Sequence, residues 1–171
     1  MLLRTLHVRA ISPASRNGVL VAGNITVPCT LGWSGRRFSK REGDGATPRG
    51  VWALREVLYR PRLRVNTGLS RRELRPSEGW CDEPGDRNYN RRVKRPYPAN
   101  HEALWREDEL YDLIIPLGFN DGPRRRGGGS AIFFHLAAPD GGPTAGCVAV
   151  SRLDMLKVLP LCGPRTRMKV W

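Results

Sequence analysis

The stretch Ser130-Ala-Ile-Phe-Phe-His135-Leu-Ala-Ala-Pro-Asp-Gly-Gly-Pro-Thr144-Ala-Gly-Cys147-Val-Ala-Val-Ser151 reads as strand, Gly/Pro-rich loop, tight turn and strand. Ala131 to Phe134 is a short apolar, aromatic run of the kind that fills a buried strand, and His135 stands where that run ends. Pro139, Gly141, Gly142 and Pro143 make the loop, and Thr144-Ala145-Gly146 returns the chain to Cys147. A thiol and an imidazole are thereby placed at the two corners of one supersecondary unit, close enough in sequence to meet.

An imidazolium beside a thiol lowers the thiol pKa from its free value of about 8.5 and favours a thiolate-imidazolium pair. Read this way, Cys147 is a nucleophile and His135 its base. Gly146 allows a sharp turn, so the N–H groups of Ala145, Gly146 and Cys147 can converge where an oxyanion would form. The bland alternative is that Cys147 is a small buried hydrophobe and His135 a histidine satisfied by hydrogen bonds. Spacing alone leaves both open.

His135, the Gly-rich spacer and Thr144-Ala-Gly146-Cys147-Val, followed by Ser151-x-x-Asp154, resemble the signature of the YkuD-type L,D-transpeptidases, a histidine, a spacer, then Ser/Thr-His-Gly-Cys. Upstream, Gly43-Asp44-Gly45-Ala46-Thr47-Pro48-Arg49-Gly50-Val51-Trp52 is similar to that family's Thr-Pro-x-Gly-x-aromatic turn. The resemblance implies a twisted β-sandwich that cross-links peptidoglycan stem peptides through a thioester on Cys147, with no metal and no cofactor. His135 would pass a proton to the departing amine and then act as base for the incoming one. At Thr144 it implies a backbone carbonyl that can orient the imidazole. Water in place of the amine would make the protein a stem-peptide hydrolase. Two positions depart from the pattern: Ala145 stands where most members carry a second histidine, and Ala149 where most carry an arginine. The segments Gly79-Trp80-Cys81-Asp82 and Asp86 to Arg91 are similar to a compact proteobacterial subgroup associated with links from L-alanine to meso-diaminopimelate.

Outward from this centre the pattern is mainly β. Leu2 to Val8 alternates, Gly18 to Leu31 reads as a hairpin turning at Gly23-Asn24, Val51 to Tyr59 has strand character, and Leu110 to Leu117 is apolar with a late Pro116. Ser151, with Asp154 three residues on, caps a short helix ending at Leu159, and a second helical turn is expected near Asn100 to Asp108. Arg165 to Trp171 gives a final strand. Residues 60–101 follow neither period and read as an irregular insertion of a single domain, 1–171, covering one side of the site. Tyr89, Asn90 and Arg91 in it are candidate substrate contacts, and so are Arg124, Arg125 and Arg126, which could take over from the missing arginine in binding a stem carboxylate.

Lys plus Arg total 29 against 16 for Asp plus Glu, a net charge of +13, which implies an anionic partner. A nucleic-acid module is the competing class, with Trp80 or Tyr89 stacking on bases. The arginines are scattered over several loops, however, and no recognition motif appears, so the expectation is peptidoglycan and not nucleic acid. Cys29, Cys81, Cys147 and Cys162 are too few and too spread for a disulfide scaffold. Zinc held by Cys81, His101, His135 and Cys147 has no spacing in its favour. Met1 to Leu6 is not a secretory leader and no apolar run is long enough to span a membrane. The expectation is a monomer of the periplasm or cell envelope.

Overall fold

Alternation places Leu6 and Val8 of β1 (Thr5–Arg9) wholly inside, and the hairpin of β2 (Asn17–Ala22) and β3 (Ile25–Thr30) follows, turned at Gly23 with φ +62°. The computed structural model describes residues 1–171. It continues with the short pair β4 (Arg36–Arg37) and β5 (Thr47–Pro48), then β6 (Gly50–Ala53), β7 (Val57–Tyr59) and β8 (Arg71–Glu73). Next come β9 (Glu78–Cys81), β10 (Arg91–Lys94), β11 (His101–Ala103), β12 (Leu113–Pro116), β13 (Phe133–Leu136), β14 (Val148–Val150), α1 (Arg152–Val158) and β15 (Arg167–Val170). No helix is long and apolar enough to cross a membrane.

Ten strands form one sheet in the order β6-β15-β1-β2-β3-β14-β13-β12-β7-β8. Its curl follows from connectivity. β6 lies at one edge and β7 near the other, yet only Leu54, Arg55 and Glu56 join them, so the sheet must bend round until its ends meet. The seam is closed by the Leu54–Leu117 bridge, by Arg55 N–H to Pro116 O at 3.0 Å and by Gly118 N–H to Ala53 O at 2.8 Å. Inside the curl sits the main core, including Leu20, Ile115, Phe134, Val148 and Met168. α1 adds Met155 and Val158 to that core. The Ser151 hydroxyl accepts the Asp154 N–H at 3.1 Å at the start of α1, a cap that contributes about 1 kcal/mol.

Residues 60–101 are mostly turn and loop, as expected, but three short strands lie within them. β8 extends the main sheet, and β9 pairs with both β10 and β11 in a separate three-stranded sheet. Asn100 to Asp108 is likewise strand and turn, because β11 is held in register against β9 through His101–Cys81 and Ala103–Gly79. The small sheet lies over the outer face of the large one and encloses a second apolar cluster of Leu58, Leu74, Leu104, Tyr111, Ile114, Phe133 and Cys147. Trp80 seals its edge, meeting the Phe133 ring edge-on at 5.2 Å. The segment after β7 and the start of α1 are tied to the start of β12 at Asp112, fully buried, which receives Arg60 at 3.1 Å, Arg62 at 2.5 Å and Arg152 of α1 at 3.1 Å.

Candidate active site

Side chains alternate along a strand, and on β13 the alternation divides the two cores. Phe134 and Leu136 enter the main core, whereas Phe133 joins the outer cluster and His135, two residues on, shares its face. β14 runs parallel to β13 with Phe134 opposite Val148 and His135 opposite Ala149. Cys147, one residue before β14, therefore stands beside Phe133 on the same outer face, diagonal to His135. Both line one cleft of about 570 Å³ under the small sheet, together with Lys40, Glu102, Tyr111 and Ala149.

The thiol is held from both sides. Cys147 Sγ accepts the Phe133 N–H and lies as a donor against Ala131 O, each at 3.3 Å. Ala131 adopts φ +52°, a left-handed conformation that costs a non-glycine residue about 1 to 2 kcal/mol. Asn90 Oδ1 restrains it there, accepting the Ala131 N–H at 3.1 Å. Gly146 has φ +130°, and a Cβ on it would lie 2.8 Å from Ala46 O and 3.3 Å from Lys40 Nζ, so this turn requires glycine twice over. The two sequence motifs meet here. Cys147 O accepts from the Thr144 hydroxyl at 2.8 Å and from the Thr47 hydroxyl at 3.3 Å. Of the three amides expected to face an oxyanion, Gly146 N–H is already bonded to Thr144 Oγ1 at 3.1 Å, while those of Ala145 and Cys147 have no partner within the chain.

The imidazole is fixed by its own strand. His135 Nδ1 lies 2.8 Å from Leu136 O, which can only accept, so Nδ1 carries the proton and Nε2 is left as the basic nitrogen. The orienting carbonyl thus belongs to Leu136 and not to Thr144, whose hydroxyl braces the Gly146–Cys147 turn instead. Tyr111 meets the His135 ring edge-on at 5.1 Å. Burial pushes His135 down to about 4 and Cys147 up to about 12. Burial thus opposes a charge on either group in the unliganded cleft.

The other residues singled out from the sequence are placed elsewhere. Tyr89 is buried, its hydroxyl bonded to Glu42 and accepting Gly129 N–H at 2.9 Å. Asn90 is buried too, and its amide is saturated by Trp80 Nε1, Ala131 N–H, Phe119 O and Asn120 O. Both support the floor of the site. Arg91 and Arg124 flank a different hollow, with Trp80 and Ile132 on its wall, and Arg125 and Arg126 are exposed away from the cleft lining. Cys81, His101, His135 and Cys147 form no metal-holding group. What sequence reading missed is Lys40, whose side chain is only 3% exposed inside a loop that looked solvated. Its Nζ pairs with Asp44 at 2.7 Å. The i,i+4 spacing of this pair was the one signal available. Glu102 and Arg106, from a segment read as a helical turn, and Tyr111, from the apolar run Leu110 to Leu117, also line the cleft.

The YkuD family model, described as the L,D-transpeptidase catalytic domain, matches residues 12–170. Searches of curated proteins and of solved structures returned no match.

Proposed function

Because this chain belongs to the YkuD family of L,D-transpeptidase catalytic domains, which act on peptidoglycan, we propose that it forms stem-peptide cross-links through an acyl-enzyme on Cys147. The observation that supports this reading is the shared cleft, in which a thiol and an imidazole with its basic Nε2 stand on adjacent parallel strands. As the thiol sulfur adds to a stem carbonyl, its proton moves to His135, and the amide N–H groups of Ala145 and Cys147 meet the developing oxyanion. Collapse breaks the C–N bond, and the proton on His135 goes to the departing amine. An acceptor amine then attacks the thioester, the C–S bond breaks, and His135 returns a proton to the sulfur. Since burial opposes charge on either group, we read thiol deprotonation as coupled to attack on the bound carbonyl.

The cations near the nucleophile support a reading of the donor bond. Ala149 faces the cleft where the family pattern has arginine, and Lys40, beside Gly146, is the buried cation on the nucleophile's side. We assign the donor carbonyl to L-alanine and its acidic neighbour on the stem to Lys40. An envelope location and a monomer accord with this substrate. Mass spectrometry of muropeptides after incubation with sacculi tests the assignment. Links from L-alanine to diaminopimelate are expected. Links only between two diaminopimelate residues would overturn the donor assignment, and trimmed stems without links would make the protein a hydrolase on the same acyl-enzyme.

A further inference from the structure

The chain is strongly basic overall, yet the small sheet turns carboxylates into the cleft: Asp82 follows β9, Glu102 lies in β11, and Glu42 stands opposite on the loop before β5. Glu102 is the best fixed. Its Oε1 accepts the Tyr111 hydroxyl at 2.5 Å, Arg106 is 3.8 Å away, and Tyr111 in turn packs on the His135 ring. A carboxylate in this position opposes ionisation of Cys147, and burial raises its own proton affinity. It therefore hinders the first half of the reaction, and its usefulness must lie in the second.

We propose that Glu102 is the acceptor-side catalytic residue, which binds the incoming amine as its ammonium ion and removes one proton before attack. The proposal rests on Cys147 carrying the acyl group. An alkylamine is almost wholly protonated at neutral pH and has no lone pair to give. Glu102 takes one proton from the ammonium, leaving a neutral amine held beside the thioester. The amine nitrogen forms the new C–N bond, the C–S bond breaks, and its surplus proton reaches the sulfur through His135. Glu102 then releases its proton to solvent as the linked product leaves.

Two readouts on the full chain test this with Glu102→Gln, which keeps shape and removes charge, and with Tyr111→Phe, which removes only the hydroxyl that holds Glu102. Alkylation of Cys147 by iodoacetamide should become about three- to tenfold faster in Glu102→Gln, because a negative charge near the thiol has gone. On sacculi the ratio of cross-linked to hydrolysed stems should fall about tenfold or more in the same variant. Tyr111→Phe should move both in the same direction by less. An unchanged ratio with a normal acyl-enzyme overturns this proposal alone, as does slower alkylation in Glu102→Gln. Absence of any stem acyl group on wild-type Cys147 overturns the nucleophile assignment together with it.

Discussion

The inner and outer faces of β13 differ by a rotation of one residue and do opposite things. Phe134 and Leu136 point into a closed, wholly apolar core walled by the curled sheet, whereas Phe133 and His135 point into a thin second core that is half cleft. The inner face holds the strand in place and tolerates no polar group. The outer face uses that rigidity to keep an imidazole and a thiol buried. On the proposed mechanism this fold separates stability from reactivity: they occupy alternate residues of the same four-residue strand.

The separation is broken most directly at Cys147→Ala, expected to lower cross-linking by roughly 10³-fold or more with an unchanged thermal unfolding profile. Loss of folding in parallel would mean that the outer face is structural after all. His135→Gln comes next, with cross-linking down by about 10²- to 10⁴-fold. It also carries a stability signature. An imidazole whose pKa falls from 6.5 unfolded to about 4 folded supports the fold above pH 6.5, and that support is lost as pH falls through 4. The wild type should lose about 3 kcal/mol over this window, and His135→Gln should flatten that limb in denaturant titrations at a series of pH values.

On the inner face, Phe134→Ala should cost about 3 to 5 kcal/mol of stability by leaving a cavity, while enzyme still folded at low temperature keeps its transfer-to-hydrolysis ratio. Asn90→Ala probes the link between the layers. Unfolding free energy should drop by about 1 to 3 kcal/mol as the clamp on Ala131 is lost, and alkylation of Cys147 should change with it. A drop in stability with no change at the thiol would show that Ala131 holds its conformation unaided. The smallest effect is expected from neutralising Arg124, Arg125 and Arg126 together: less than about threefold on a soluble stem-peptide substrate, since none of them lines the cleft. A larger loss confined to intact sacculi would assign them to polymer docking.

Local signals made part of this legible. Gly23-Asn24 marked its hairpin, Ser151 and Asp154 marked α1, and the order of the Thr47-Pro48 and Thr144–Cys147 motifs fixed the family, because each depends on neighbours in sequence. The small sheet was hidden for a physical reason. Its strands are three or four residues long, and β9 has only Gly79 and Cys81 buried, so no period could emerge from so many arginines. Tyr89 and Asn90 looked like ligand contacts because binding residues concentrate on loops held by a rigid scaffold. They are instead hydrogen-bond keystones, which only the convergence of Gly129, Ala131 and Trp80 reveals. Sheet closure is also non-local, set by the short Leu54–Glu56 join between distant strands.

β13 and β14 are parallel neighbours joined without a helix, by a span whose tip from Pro139 to Gly141 is exposed. Each strand is secured in the sheet by its other partner, β12 for one and β3 for the other. Proteolytic nicking at that tip would consequently yield two polypeptides, one bearing the imidazole and the other the thiol, each still anchored in the sheet by its own neighbouring strand.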